Sequence, residues 1–174
     1  LAAQDPRSPA IDTTRAIEWV ERKLDLTLAD RQRDAVSQAV SASALVVTGG
    51  PGVGKTTIVR AMVEILKAKH LNVALCAPTG RAAKRLTDVT GVDAKTIHRM
   101  LEVNPADGQF RRGPRSPVAC DVLVVDETSM VDVPLMHALV RAVPDRASLV
   151  LVGDIDQLPS VGPGNVLGDI IASG

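Results

Sequence analysis

The stretch GGPGVGKTT, residues 49–57, has the spacing G-x-x-x-x-G-K-T. An apolar run precedes it at residues 45–47, and a run with helical periodicity follows it at residues 58–67. A strand, a glycine-rich loop and a helix in this order form the phosphate-binding loop of nucleotide-binding proteins. The sequence therefore predicts a nucleoside triphosphate site in a domain that alternates strands and helices.

Each residue type in this loop has a physical reason to be there. Glycine lacks a Cβ, so backbone N–H groups can turn inward around the β-phosphate, and the following helix points its positive end at the same anion. Lys55 offers a charge to the β- and γ-phosphates, and Thr56 offers a hydroxyl to Mg²⁺. We therefore expect the nucleotide to be held by Gly50, Pro51, Gly52, Val53, Gly54, Lys55, Thr56 and Thr57.

The composition is that of a folded domain without a strong overall charge. The chain has 174 residues, 45% of them hydrophobic and 23% charged, with a formal net charge of zero. A neutral chain gives no general sign of nucleic-acid binding, so any such site has to be local. Cys76 and Cys120 lie in apolar runs, where we expect two buried thiols. Without a long apolar run or a signal-peptide layout, we expect a cytoplasmic protein with no membrane partner.

Strand and helix patterns alternate along most of the chain. Short runs that are apolar on both faces predict strands typical of a parallel sheet covered by helices. A ligand site is then expected at the carboxyl ends of the strands. Strands are predicted at 45–48, 72–77, 122–126 and 148–153, and helices at 13–24, 27–41, 55–69, 80–89, 94–101, 133–142 and 164–172. Asp12 is expected to cap the first helix, and Thr27 with Asp30 the second.

Two carboxylates end the third predicted strand, at Asp126 and Glu127. In a protein with a phosphate-binding loop, this placement suits an aspartate that holds Mg²⁺ and a glutamate that polarises the attacking water. Acids often end strands, so the pattern gains its meaning from the loop that precedes it. Gln157 follows the next strand, from where an amide can reach the γ-phosphate. Gln32 could contact adenine in the same way, although a glutamine on a helix is more often solvated.

A strand end leads into a basic helix at residues 76–85. Thr79 and Gly80 stand at the start of the helix, and Arg81, Lys84 and Arg85 follow within one and a half turns. Backbone N–H groups at such a helix start can hold a nucleic-acid phosphate. The alternative is a capped helix with a solvated basic face.

One stretch, residues 102–117, interrupts the alternation of strands and helices. It contains three prolines, two glycines and three arginines, and between Asp107 and Asp121 the chain has no acidic residue.

Taken together, these segments resemble the superfamily 1 helicases. They are most similar to the RecD-like members of the 5′→3′ branch, superfamily 1B, of the exodeoxyribonuclease V alpha-subunit type. The similarity extends over about residues 27–170. The matching segments follow the order of the family's motifs: L-x-x-x-Q at 28–32 (Q motif), GGPGVGKTT at 49–57 (Walker A), APTGRAAKRL at 77–86 (motif Ia), TIHRML at 96–101, VVDETSM at 124–130 (motif II) and VGDIDQLPSVGPG at 152–164 (motif III).

The resemblance implies a RecA-like P-loop NTPase domain of the α/β class, with ATP and Mg²⁺ as cofactors. In the family's roles, Gln32 contacts adenine, Lys55 and Thr56 hold phosphates and Mg²⁺, Asp126 binds Mg²⁺, Glu127 is the catalytic base and Gln157 senses the γ-phosphate. The strand of DNA is contacted by Thr79, Gly80, Arg81, Thr96, His98 and Arg99.

The resemblance also implies a domain organisation and partners. Residues 1–10 are expected to be a loose tail, 11–44 N-terminal helices with the Q motif, and 45–174 the first motor domain. Residues 102–117 fall where the family carries a small β-hairpin, the 1B pin, which would bring Phe110, Arg111 and Arg112 to DNA; a surface loop is the alternative. Partners would be single-stranded and duplex DNA and other subunits of a nuclease–helicase complex.

Such helicases bind ATP between two RecA-like domains, and the second supplies motifs IV to VI with the arginine fingers. The sequence ends soon after motif III, so we expect it to be one motor domain of a larger helicase. A missing arginine finger costs on the order of 10³–10⁵ in rate. This chain alone is therefore expected to bind nucleotide, to hydrolyse it poorly and not to unwind DNA.

Three other interpretations remain open at this stage. The chain could be a nucleotide-dependent DNA-binding module without turnover, or the helicase half of a conjugative relaxase, which has very similar motifs. It could also be a P-loop kinase, since the same loop serves phosphoryl transfer to small molecules. The adjacent Asp126 and Glu127 favour hydrolysis over a kinase.

Overall fold

The computed structural model describes residues 11–157 and 160–173. The tail expected at residues 1–10, and Leu158 and Pro159 of motif III, lie outside the described residues.

Five parallel strands form one sheet at the centre of the domain. They are ordered β1-β5-β4-β2-β3 across the sheet, so the strand that precedes the glycine-rich loop is at one edge. Their bounds are β1 (Ala44–Thr48), β2 (Val73–Ala77), β3 (Ala94–Thr96), β4 (Val122–Val125) and β5 (Ser148–Gly153).

Helices connect the strands and cover the sheet. Their bounds are α1 (Thr13–Leu24), α2 (Asp30–Ala39), α3 (Lys55–Ala68), α4 (Gly80–Thr90), α5 (Ile97–Met100), α6 (Val133–Ala142) and α7 (Val166–Ser173), with a 3₁₀ turn at Thr128–Met130. None of these helices is both long and apolar enough to cross a bilayer.

The core lies on both faces of the sheet, as the alternation in β4 shows. Val122 and Val124 pack with α1, α2 and α3, whereas Leu123 and Val125 pack with α5, α6 and α7. A strand that is buried on both sides needs apolar residues at every position. The predicted α/β class, with a parallel sheet and helices on both faces, is confirmed.

The start of the second helix differs from the prediction. Helix α2 begins at Asp30 after the extended residue Ala29, and Thr27 does not cap it. The N–H of Leu28 donates to the Glu21 carboxylate at 2.8 Å, and the Leu28 side chain is buried. These contacts hold the chain extended against α1, so the helix starts later, where the Gln32 side chain accepts a bond from the Ala29 N–H at 3.0 Å.

The helix predicted at 94–101 is also partly wrong. Residues 94–96 form β3, which pairs with β2 at Leu75, Cys76 and Ala77, and only Ile97–Met100 are helical. Residues 94–96 are extended because they pair with the otherwise open side of β2, and this backbone pairing outweighs their local helix preference.

The segment at 102–117 folds into turns that are tied by two single antiparallel bridges, Val103 with Phe110 and Gly113 with Ser116. Phe110 is half-buried and packs against the core on the α6 side of the sheet.

Both cysteines are free thiols. Cys76 is fully buried in β2, and burial raises the pKa of the half-buried Cys120 to about 11. Both thiols therefore stay protonated at neutral pH and are poor nucleophiles.

Candidate nucleotide-binding site

Three loops meet at the carboxyl ends of the neighbouring strands β1, β5 and β4. They line a cavity of about 260 Å³. Because the strands are parallel and adjacent, residues that are far apart in sequence face each other here. The cavity brings together most of the predicted nucleotide-site residues: Gly50, Pro51, Gly52, Gly54, Lys55, Thr56, Asp126, Glu127 and Gln157.

The backbone of the glycine-rich loop needs glycine at defined points. Gly52 has φ +81° and Gly54 has φ +87°, a region that side chains disfavour. A Cβ on Gly54 would also lie 2.2 Å from Nε2 of Gln32. Any residue larger than glycine at these positions would therefore strain the loop or push it out of its observed shape.

Helix α3 starts without a side-chain cap, unlike α1, α4, α5 and α6. The first N–H groups of a helix have no partner within it, and they carry the positive end of its dipole. In α3 these groups face the glycine-rich loop. The helix start is thus suited to bind an anion such as phosphate.

Lys55 extends across this loop. Its Nζ donates to the carbonyl oxygens of Gly49 and Gly50, the second at 3.0 Å, and lies 3.5 Å from Oδ2 of Asp154. The lysine side chain is largely buried, and that of Asp154 is only 1% exposed. The Lys55 ammonium group thus lies beside the phosphate-binding backbone.

Asp154 is a site residue that the sequence reasoning missed. Oδ1 of Asp154 accepts the N–H of Asp156 at 3.0 Å, and its carbonyl accepts the N–H of Gln157 at 3.3 Å. It therefore shapes the turn that carries Gln157 and also faces Lys55. The available signal was its position directly after β5, equivalent to that of Asp126 after β4.

We expect Asp154→Asn to bind nucleotide roughly three to ten times more tightly than the unsubstituted chain. The amide keeps the bond to the N–H of Asp156 but removes a buried negative charge next to Lys55 and the phosphate site, and such charges interact by about a kcal/mol or more. Titration with a fluorescent ATP analogue measures this. Weaker binding would instead mean that the carboxylate itself takes part in holding the ligand, for instance through Mg²⁺.

Asp126 and Glu127 lie side by side at the end of β4. Burial raises the pKa of Asp126, opposed by the N–H of Glu127, which donates to Oδ1 at 2.9 Å, and by Arg85 and Lys55. Burial also raises the pKa of Glu127, and the charge of Asp126 adds to this. The backbone of Glu127 has φ +54°, a left-handed conformation that is strained for a residue other than glycine. The backbone thus holds the two carboxylates in a fixed arrangement.

Arg85 is a second site residue that sequence reasoning had counted only as part of a basic helix. It lies on α4 and lines the cavity with Asp126 and Glu127. With Lys55 it lowers the pKa of both carboxyls, against the effect of burial. No residue spacing indicates this, because only the packing of α4 places Arg85 there.

The donor set of the cavity fits a hard divalent cation. Thr56 and Asp126 line it together, and hydroxyl and carboxylate oxygens are the ligands that Mg²⁺ takes beside nucleotide phosphates. The start of α3 lines the same cavity, so phosphates bound there would be within reach of the ion that Thr56 and Asp126 would hold.

Gln32 connects α2 to the glycine-rich loop. Its Nε2 donates to the carbonyl of Val53 at 3.0 Å. Gln32 and Val53 line a second cavity of about 580 Å³ on the other side of the loop. The predicted site residues Gln32 and Val53 therefore line the larger cavity and not the one that contains Lys55. Thr57, in the first turn of α3, lines neither of these two cavities.

The predicted DNA contacts lie mostly at the starts of α4 and α5. Thr79 caps α4 by accepting the N–H of Ala82 at 3.2 Å, and Thr96 caps α5 by accepting the N–H of Arg99 at 3.2 Å. Gly80 and Arg81 are exposed at the start of α4. These helix starts follow the carboxyl ends of β2 and β3, and the nucleotide cavity also lies at the carboxyl ends of the parallel strands.

The other predicted contacts have different environments. His98 is exposed, and its ring lies 5.7 Å from that of Phe110. Arg99 lines a separate cavity beside β3. Arg112 is bound internally, through Nε to the Glu102 carboxylate at 2.9 Å and to the Pro117 carbonyl, whereas Arg111 is exposed.

The parallel sheet, the phosphate-binding loop after β1 and the carboxylates after β4 define the class of the domain: it is a RecA-like P-loop NTPase domain. In agreement, the fold is similar to that of a solved structure of Dbp5 from S. cerevisiae with bound ADP. The TM-score is 0.54 and the identity 12%, covering 95% of this chain and 50% of that one.

Residues 32–163 match the family model described as an AAA domain, and the chain belongs to this family, whose members bind nucleotides. Its sequence is RecD-like. It is 42% identical to the ATP-dependent RecD2 DNA helicase of Deinococcus radiodurans over 158 residues, 90% of this chain. It is 40% identical to the RecBCD enzyme subunit RecD of Mycolicibacterium smegmatis, over 82% of the chain. It is 33% identical to the ATP-dependent DNA helicase dda of Enterobacteria phage T4, over 68% of the chain.

The chain spans only part of each of these relatives: 22% of the Deinococcus protein, 30% of the Mycolicibacterium protein and 28% of the phage protein.

Proposed function

We propose that this chain is the ATP-binding first motor domain of a 5′→3′ DNA helicase that acts in DNA repair or recombination. One observation supports this most directly: a single cavity joins Lys55, the carboxylates of Asp126 and Glu127, and Gln157. A phosphate-binding lysine, an acidic pair and a polar amide together suit hydrolysis of a nucleoside triphosphate better than simple binding.

The residues divide the chemistry between them in this proposal. The backbone at the start of α3 and Lys55 bind the phosphates, and Thr56 with Asp126 would hold Mg²⁺, which would neutralise phosphate charge. Glu127 orients the attacking water and takes its proton. Gln157 contacts the γ-phosphate, and Gln32 contacts the adenine from the side of the larger cavity.

Helix α4 offers a physical link between the nucleotide and DNA. It carries Arg81 at its exposed start and Arg85 in the nucleotide cavity, one helical turn further on. A change of charge at the cavity therefore acts on the same rigid helix that presents Arg81. We propose that DNA backbone phosphates are contacted at the starts of α4 and α5.

The wider assignments belong to this proposal as well. Residues 11–44 form the N-terminal helices, 45–174 the motor domain and 102–117 the 1B insertion. DNA is the proposed substrate, other subunits of a nuclease–helicase complex are proposed partners, and the location is cytoplasmic. The RecD relatives, named as subunits of the RecBCD enzyme, support the proposed multi-subunit partners.

Strand separation by the complete protein that carries this domain tests the proposal. Duplexes with either a 5′ or a 3′ single-stranded tail are offered with ATP and Mg²⁺, and the Lys55→Ala variant serves as control. We expect unwinding only from the 5′ tail, and none in the variant. Unwinding from a 3′ tail would contradict the direction. DNA binding without turnover would favour a nucleotide-dependent binding module, and phosphate transfer to a small molecule would favour a kinase.

A further inference from the structure

The nucleotide cavity holds a second cation, Arg85, in addition to Lys55. These two are the only positively charged side chains among the described residues that line the cavity. Arg85 belongs to none of the three loops that follow β1, β5 and β4. It is carried by helix α4, which follows the neighbouring strand β2. A separate element of the fold therefore adds a positive charge to the site.

The guanidinium group of Arg85 has no fixed partner within the domain. Across residues 11–157 and 160–173, no hydrogen bond or salt bridge ties it to another side chain or to the backbone, and the residue is exposed. Lys55, by contrast, is bound to two carbonyl oxygens of the glycine-rich loop and to the Asp154 carboxylate. Arg85 can therefore turn towards an anion in the cavity without losing an internal bond.

The backbone that carries Arg85 is nevertheless held in place. Ala83 and Leu86, on the same helix, are buried, with 4% and 3% of their surface exposed, and Leu86 packs in the core with α3. Thr79 caps the start of the helix by accepting the N–H of Ala82 at 3.2 Å. The helix is thus fixed and only the long side chain of Arg85 is free to adjust, so its donors stay within reach of the cavity.

Charge effects indicate which end of the cavity Arg85 occupies. Burial and the charge of Asp126 raise the pKa of Glu127, and of the two cations that oppose this rise, Arg85 has a larger effect than Lys55. The pKa of Asp126, which burial raises, responds to the two cations in the same order. Because the interaction of two charges weakens with distance, Arg85 lies on the side of the carboxylates. In the proposed function Glu127 acts at the γ-phosphate, so Arg85 would stand beside that phosphate.

We propose that Arg85 is a further catalytic residue: its guanidinium group binds oxygens of the γ-phosphate and stabilises the transition state of hydrolysis. The inference rests on the proposed function and adds to it a contact made from within the same domain. In hydrolysis the water oxygen bonds to the γ-phosphorus and the water proton passes to Glu127. The bond from this phosphorus to the bridging oxygen breaks and leaves its electron pair on ADP. Negative charge is spread over the γ-phosphate oxygens during this step, and a planar guanidinium fork can donate to two of them at once.

The test compares Arg85→Gln with Arg60→Gln in the complete protein that carries this domain. Arg60 is an exposed arginine of α3 that does not line the nucleotide cavity. With DNA, ATP and Mg²⁺ present, we expect Arg85→Gln to lower single-turnover phosphate release by about 10²–10³-fold, the usual loss when one donor to the transition state is removed. Affinity for a non-hydrolysable ATP analogue should fall by about two- to fivefold, since an exposed charge pair is weak. ADP lacks the γ-phosphate and should bind unchanged, and the control should behave like the unsubstituted protein.

The charge and the shape of the side chain can be separated with Arg85→Lys. An ammonium group keeps the charge but lacks the planar fork. This variant should therefore keep the preference for the ATP analogue over ADP and recover only part of the rate. Circular dichroism, together with the unchanged affinity for ADP, verifies that each variant is folded.

Three results would overturn the inference and leave the proposed function intact. Phosphate release by Arg85→Gln equal to that of the control would remove Arg85 from the reaction. An equal loss of affinity for ADP and for the ATP analogue would show a general role in the site. Recovery of the full rate at higher pH would show that Arg85 only keeps Glu127 ionised, since loss of a nearby cation raises the pKa of a carboxyl group. If the unsubstituted protein releases no phosphate, the proposed function is overturned as well.

Discussion

Replacing Lys55 by alanine is expected to weaken nucleotide binding by roughly a hundredfold or more. Truncation of one partner in a buried, charged interaction costs about 2–5 kcal/mol, and every 1.4 kcal/mol is about tenfold in affinity. Two effects add here. The phosphates lose their nearest ammonium group, and the buried Asp154 carboxylate loses the cation at 3.5 Å and repels the ligand instead.

Titration with a fluorescent ATP analogue measures the loss, and Lys69→Ala is the matched control. Lys69 is an exposed lysine at the end of the same helix. The double variant Lys55→Ala/Asp154→Asn should recover part of the affinity, since it removes the unpaired charge. An affinity for Lys55→Ala within twofold of the control would remove this lysine from the binding site.

Replacing Glu127 by glutamine is expected to leave ATP binding nearly unchanged but to lower turnover by about 10²–10⁴-fold, the usual contribution of a general base. Glutamine has the same shape, so the left-handed backbone at this position, φ +54°, can be retained. It cannot accept the proton from the attacking water. Binding and turnover should therefore separate, which distinguishes this variant from Lys55→Ala.

Single-turnover phosphate release by the complete protein, with DNA present, is the suitable measurement, since it reports the chemical step. Glu18→Gln, an exposed change on α1, is the control. Normal phosphate release by the Glu127 variant would mean that another group at the cavity acts as the base. A parallel loss of binding would show instead that the carboxylate has a structural role.

The parts of the site that could be predicted are those in which a local pattern fixes the chemistry. The glycine-rich loop needs positive φ at Gly52 and Gly54, and sequence spacing alone indicates this. The carboxylates after β4 are equally local. Asp154 stands directly after β5, as Asp126 does after β4, and this local signal was missed because only the order of the strands shows that Asp154 meets Lys55. Arg85 was missed because its place in the cavity depends on the packing of α4, which no spacing in the sequence expresses.

The same reasoning explains the errors in the elements. The residues of β3 have no strong strand preference, and their pairing is imposed by the open edge of β2. Thr27 and Asp30 fit a capping pattern, but the burial of Leu28 keeps the chain extended there. Phe110 was expected to reach DNA as part of the 1B insertion. Phe110 is half-buried and packs against the core, so it anchors the segment, and its contact with DNA stays a prediction.

The pairing of β1 with β5 has a consequence for how the domain folds. Lys55 and Asp154 are separated by 99 positions, and β1 pairs with β5 at Ala44 and Leu149, so the other three strands and the helices between them are enclosed in the loop that this pairing closes. Long loops close slowly, and parallel pairing of this kind gives a high contact order. The phosphate site is therefore completed only when the last strand docks. A ligand that binds only the completed site shifts the equilibrium towards the folded state. Nucleotide is therefore expected to stabilise the domain with β5 docked beside β1.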